Sequence, residues 1–242
     1  MKTYLVISDL HVPSHCPKYV ALITKVIRLL KPDGLVQTGD FVDWWQISTY
    51  DKDPARKNTI VDDIKEFEKI LVGWAKELKR GDIHIVCGNH ENRLSRYTAR
   101  HAKELHEIVK SIPQMLELKE KNAAGSIKYH WHPYHRWNSC KIGDCVIMHG
   151  YYFNQHTAST NLLKYKTNIL CGHTHRVQLF TDGVHYSATL GHGSNEKETA
   201  HSPCPTGWQQ AFGILNVLDN GKTSLDIILV NDGKAVVYGK AL

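Results

Sequence analysis

An α/β fold is what this 242-residue sequence predicts, and three observations carry that expectation. Short apolar runs alternate with amphipathic helical segments between residues 4 and 87. Beyond residue 127 the chain is mostly short strand candidates, two of them followed by Asn- and Gly-rich turns. At about 100–200 residues per domain, the length suits one domain over 1–242, and no repeat, low-complexity tract or linker divides it.

Tyr4–Ile7 is a short apolar run of the kind that forms a buried strand. Val20 to Leu30 has apolar residues at 22, 23, 26, 27, 29 and 30, a helical spacing that Lys31-Pro32-Asp33-Gly34 stops. Leu35-Val36 is a second short strand. Thr59 to Arg80 is the clearest helix, because Ile60, Ile64, Phe67, Leu71, Trp74 and Leu78 fall on one face at 3.6 residues per turn. Gly81 ends it, and Ile83–Cys87 is a third strand. This β-α-β-α-β order implies parallel strands joined by helical crossovers. Further strands are predicted over 127–131, 145–148, 168–171, 177–180, 184–188, 212–218, 224–230 and 235–238, with a short helix over 157–164. Asp219-Asn220-Gly221 and Asn231-Asp232-Gly233 read as hairpin turns. His192–Gly207, rich in Gly, Ser, Pro and Thr, reads as a long loop.

Composition excludes several classes. With 42% hydrophobic and 22% charged residues the chain is neither disordered nor fibrous. A net charge of +6 is compatible with a polyanionic partner without demanding one. No stretch approaches a membrane span, and the apolar run before Ser8-Asp9 is too short for a signal peptide. None of the six cysteines forms a C-x-x-C pair, so neither a zinc knuckle nor a dithiol motif is expected. A reducing, cytoplasmic setting with no membrane and no obligate protein partner follows as the expectation. The unusual number is 16 histidines, which points to a metal site.

Five predicted strand ends deliver Asp, Asn or His: Asp9 and His11; Gly39-Asp40 with Asp43; Gly88-Asn89-His90-Glu91; His149-Gly150; and Gly172-His173-Thr174-His175. Ligands in open α/β sheets bind at the carboxyl ends of strands. Carboxylates, imidazoles and a carboxamide without thiolate suit Mn, Fe or Zn. In extended chain the i, i+2 pairs Asp9/His11 and His173/His175 would each project to one side. Seven candidate ligands are too many for one tetrahedral ion and suit two ions sharing a carboxylate.

These segments, in this order, resemble the calcineurin-like metallophosphoesterase superfamily over residues 9–175, about two-thirds of the chain. The resemblance implies a four-layer αββα sandwich of two mixed β-sheets flanked by helices. It implies two divalent metal ions, Mn first, with Fe, Zn or Ni as substitutes. Asp9, His11, Asp40 and His175 would hold one. Asp40, Asn89, His149 and His173 would hold the other, with Asp40 bridging. His90 would be the proton donor or charge stabiliser, oriented by Asp43. The reaction implied is attack of a hydroxide shared by the two ions on a phosphate ester, without a covalent enzyme intermediate.

Flanking residues have two readings each. Trp44 and Trp45 pack in a core or offer a platform for a base. The superfamily's phosphoprotein phosphatases usually carry Arg-Gly there, and the absence of that arginine argues against a phosphoprotein substrate. Arg93, Arg96 and Arg100 form either a solvated helix face or a basic stripe for phosphates. His156 and Arg176 either reach substrate or face solvent. His130, His132 and His135 have metal-like spacing, but no acidic or thiol partner lies close in sequence, so aromatic packing with Trp131, Pro133, Tyr134 and Trp137 is favoured. His192, His201 and Trp208 stay unassigned. The expected activity is hydrolysis of phosphodiester bonds in a nucleic acid or nucleotide. The alternatives are a phosphomonoesterase, which Asp43 with His90-Glu91 favours, and a catalytically silent metal-containing binding module, which would have no use for His90.

Overall fold

In the computed structural model, described for residues 1–52, 54–105, 107–116, 126–135, 139–199 and 206–242, the apolar run after Met1 becomes β1 (Lys2–Ile7). Pro17, tolerated in a first turn where its missing N–H costs nothing, opens α1 (Pro17–Leu30). Lys31, in left-handed conformation, closes it by donating its N–H to Ile27 O. β2 (Gly34–Gln37) follows. Thr59 and Asp62 form a reciprocal capping box at the start of α2 (Ile60–Leu78). Then come β3 (Gly81–Val86), α3 (Asn92–His101), α4 (Ile112–Leu116) and β4 (Ile127–His132). β1 to β4 run parallel in the order β1-β2-β3-β4.

The second half supplies β5 (Cys140–Ile142), β6 (Cys145–Met148), α5 (Thr157–Tyr165), β7 (Asn168–Cys171), β8 (Val177–Thr181) and β9 (Tyr186–Leu190). These strands form a five-stranded mixed sheet in the order β5-β6-β7-β9-β8. A four-residue helix, α6 (Glu196–Thr199), interrupts the segment expected to be a loop throughout. β10 (Ala211–Val217) and β11 (Thr223–Leu229) return antiparallel to β1 and complete a six-stranded sheet. The last predicted strand is shorter than expected, a ribbon of β12 (Val236–Val237) and β13 (Lys240–Ala241). His201 and Trp137 lie outside the described residues.

Two buried clusters show the layering. Leu5, Ile7, Leu35, Ile83 and Ile85 pack against α1 and α2 on one face of the larger sheet. Tyr4, Val6, Val36 and Val86 point the other way and meet Cys145, Ile147, Leu170 and Leu190 of the second sheet. α5 contacts β7, β8 and β9 of that sheet. Helix, sheet, sheet and helix therefore stack as the expected four layers. No helix among the described residues is long and apolar enough to cross a membrane.

The helix-side core reaches the loop after β2. Phe67 of α2 is fully buried and stacks on Phe41 at 4.2 Å between ring centroids. Phe41 follows Asp40 directly. Phe67→Ala is expected to cost about 3–5 kcal/mol in chemical denaturation, because the cavity it leaves cannot collapse. Trp44 belongs to the same core and is 0% exposed, so it cannot serve as a platform for a base.

Candidate metal centre

The carboxyl ends of β1, β2 and β3 meet those of β6 and β7 where the two sheets face each other. The turns there are tight. Asp9, His11, Asp40, His173 and His175 all have positive φ, between 48° and 73°. That corrects the extended geometry expected for the two i, i+2 pairs: each pair converges through left-handed backbone. Such conformations cost of order 1–3 kcal/mol each and concentrate at functional sites. Glycines permit the close approach. A Cβ at Gly172 would strike Ser8 Oγ and the Asp9 carboxylate, and one at Gly88 would strike the Asp40 carboxylate.

Seven polar side chains converge in two groups. In the first, His11 Nε2 lies 3.0 Å from His175 Nε2, which lies 3.3 Å from Asp9 Oδ1. In the second, His149 Nε2 lies 2.9 Å from Asn89 Oδ1, 3.1 Å from His173 Nδ1 and 3.2 Å from Asp40 Oδ2. Asp40 Oδ2 is also 3.9 Å from His11 Nε2, so this carboxylate faces both groups. Ligands held about 2.0–2.2 Å from one cation are themselves about 3 Å apart. The closest donor separations match that spacing, and the donor types fit divalent cations.

Outer contacts fix these groups. His149 Nδ1 faces Thr38 O at 3.0 Å, which turns Nε2 inward. Asp9 accepts the His173 N–H at 3.0 Å and also bonds Ser8 Oγ. Glu91, whose role the sequence did not reveal, accepts N–H bonds from Gly88, Asp40 and Val42 and thereby ties the β2 loop to the β3 loop. Burial and the nearby Asp40 charge push its carboxyl up to about 7. The groups divide: burial and neighbouring imidazoles push His11 and His173 down to about 4, so both rings are neutral. Burial opposes a charged imidazole at His149, yet Asp40 lifts it to about 9. Burial likewise opposes ionisation of Asp9, yet its contact with His175 brings it down to about 2.

His90 sits beside Asp40. Its Nδ1 is 2.9 Å from Asp43 O and 3.2 Å from Asp43 Oδ1. Burial works against a proton on His90, but Asp40 and Asp43 outweigh it and hold the ring above the ordinary imidazole range. Arg93 donates to Asp43 O at 2.6 Å and approaches His90 Nε2 at 2.9 Å. Thus, although no arginine follows Asp43 directly in sequence, Arg93 in the first turn of α3 reaches Asp43 in space. Arg56, which carried no sequence signal, donates to Asp43 Oδ2 at 2.9 Å. Trp45 is half-buried under Arg56 and Lys52, with the cations 4.9 and 5.4 Å from its ring.

The other flanking residues divide. His156 is exposed where α5 begins, and Arg176 is half-buried and hydrogen-bonds through its backbone; neither side chain reaches the seven groups through a hydrogen bond among the described residues. His192, unassigned from sequence, stacks on His175 at 5.1 Å between ring centroids, and Trp208 meets His175 in a T-shaped contact at 4.2 Å between centroids. Burial and the neighbouring His175 push His192 down to about 3, so it walls the site as a neutral ring. Its signal was available: Gly191-His192-Gly193 follows β9 as the other histidine-bearing turns follow their strands.

A family model described as calcineurin-like phosphoesterase matches residues 2–177, which include all seven converging groups, His90 and Asp43. The chain belongs to the calcineurin-like phosphoesterase family. Among sequence relatives, the Gene 54 protein of Mycobacterium phage L5 is 24% identical, covering 99% of this chain and 98% of the relative. The Gene 54 protein of Mycobacterium phage D29 is also 24% identical, over 98% and 97%. Solved structures similar to this family member include Vps29 complexed with zinc from Entamoeba histolytica, at 17% identity and TM-score 0.49, covering 99% and 96% of the two chains. Another is YfcE, a phosphoesterase from E. coli, at 14% identity and TM-score 0.46, covering 97% of each.

Proposed function

We propose that this chain is a dinuclear metal-dependent phosphoesterase that hydrolyses phosphodiester bonds of a nucleic acid or nucleotide. The observation that carries this reading is Asp40: one carboxylate faces two groups of donors and lies 3.7 Å from His90 Nε2. Asp9, His11, Asp40 and His175 would hold one cation; Asp40, Asn89, His149 and His173 would hold the other. When bound, the cations neutralise phosphate oxygens and lower the pKa of a water. The donor set accepts Mn, Fe or Zn. Asp43 holds the His90 ring through Nδ1; Nε2, which the Arg93 guanidinium faces at 2.9 Å, is the atom that would carry a proton to the leaving oxygen once phosphate draws that guanidinium away. Asn89→Ala removes the carboxamide donor and lowers the metal count by one ion per chain, read by elemental analysis. An unchanged count would contradict the assignment.

A basic groove supports the polyanionic substrate. Asn89, Arg93, Arg96 and Arg100 line one cavity with Tyr50 and Tyr97, so the arginines of α3 lead away from the centre. An Arg96→Ala/Arg100→Ala variant, deprived of two cations that would meet phosphates, should raise KM for a single-stranded oligonucleotide about tenfold at low salt. KM for bis-p-nitrophenyl phosphate should stay at the wild-type value. Equal effects on both substrates would count against the groove.

One observation favours a monoesterase instead. The Arg93 guanidinium at His90 is placed to grip a terminal phosphate dianion. Comparing hydrolysis of bis-p-nitrophenyl phosphate with that of p-nitrophenyl phosphate separates the two readings. Strong preference for the monoester would defeat the diesterase assignment.

A further inference from the structure

A second cluster of ligand-type side chains lies between the sheets, away from Asp40. β3 and β4 pair in register with His84 opposite His130 and Val86 opposite His132. Val86 packs in the core between the sheets, whereas Ile83 and Ile85 pack on the helix side. By strand alternation His84, His130 and His132 therefore share the inner face with Val86. Cys140 of β5, 1% exposed, belongs to that same inter-sheet core from the opposite sheet. Sequence separation concealed this convergence, since His84 is remote from His132 along the chain.

We propose that His84, His132 and Cys140 form a separate mononuclear site for a zinc-type cation. One ligand atom from each lies within 4.8 Å of the other two, and the cluster shares no residue with the groups around Asp40. His84 Nδ1 and His132 Nε2 are 3.2 Å apart. Two imidazoles bound to tetrahedral zinc at 2.0–2.1 Å hold their nitrogens about 3.3 Å apart, so this pair needs almost no movement. The Cys140 sulfur lies within 4.8 Å of both rings' ligand atoms, and a zinc-bound thiolate sits about 2.3 Å from its ion. A borderline-soft cation is the class that accepts two imidazoles and a thiolate, unlike the oxygen-richer set around Asp40.

The electrostatics agree with this geometry. Burial, with His130 and His132 beside it, pushes His84 down to about 4, so its ring is neutral and has a lone pair to give. Burial also lowers His132 and pushes the Cys140 thiol up to about 12. A thiolate is stable there only beside a cation, and binding releases the thiol proton to solvent. His130 stacks on His84 at 4.5 Å and bonds Asp82 at 2.8 Å, which restricts the His84 ring. Three protein ligands leave one position for water. The ion would staple β3 and β4 of one sheet to β5 of the other.

Cobalt titration of the full chain tests this. The Asp, Asn and His groups around Asp40 contain no thiolate, so of these two sites only the second gives a near-ultraviolet thiolate-to-cobalt charge-transfer band, and its loss in Cys140→Ser assigns it to this cysteine rather than another. Wild type should develop that band. Cys140→Ser should lose it and bind one cobalt fewer per chain. His132→Gln, which leaves the cysteine in place, should lose the band at stoichiometric cobalt and so guards against misfolding of the first variant. Absence of the band in cobalt-loaded wild type, or its persistence in Cys140→Ser, would overturn the proposal.

Discussion

Replacing His90 with alanine should lower turnover of a phosphate diester by about 10²–10⁴-fold, the usual contribution of a positioned proton donor. Metal content should stay at the wild-type level: His90 lies within reach of His11 and Asp40, but its Nδ1 is taken by Asp43 and the proton role assigned to it leaves the ions to the other seven groups. Burial opposes a proton on this ring, but the Asp40 and Asp43 carboxylates outweigh it and favour the protonated form the donor role needs. Steady-state kinetics on bis-p-nitrophenyl phosphate, with elemental analysis of the same samples, reads both quantities. Activity within a few-fold of wild type would remove His90 from the reaction. A catalytically silent module would show no activity for the substitution to reduce.

Asp40→Asn should affect both metal content and turnover. The carboxylate is 2% exposed, faces His11 and His149 through Oδ2, and accepts the His90 N–H through Oδ1 at 2.9 Å. Asparagine keeps the shape but removes the charge and puts a donor where an acceptor is needed. Both ions should be lost or weakened together. Charge stabilisation of several kcal/mol then disappears, which corresponds to at least about 10³-fold in rate. Circular dichroism distinguishes this from unfolding, since the substitution is nearly isosteric. A variant with full metal content and wild-type turnover would show that Asp40 does not join the two groups.

Much of this site was legible because the chemistry sits in short segments at strand ends. Gly-Asn-His-Glu and Gly-His-Thr-His carry their residue types and their tight turns together, so order along the chain predicts convergence in space. What was hidden depends on tertiary contact. Arg93 and Arg56 reach Asp43 from different segments, and nothing in their local sequence marks the target. The left-handed backbone at Asp9 and His11 contradicts the extended geometry that alternate spacing normally implies. Trp44 and Trp45 are adjacent in sequence, yet one is in the core and the other lies beneath two cations. At the fold level, the long helix and the parallel strands follow from periodicity. β5 is too short and too mixed, Cys-Lys-Ile, to stand out, although it carries the cysteine of the second cluster.

Anomalous diffraction from manganese-loaded crystals locates the ions themselves. Two peaks are expected about 3.5–4 Å apart beside the Asp40 carboxylate, one against Asp9, His11 and His175 and the other against Asn89, His149 and His173. A single peak there, or manganese bound only elsewhere, would contradict this arrangement.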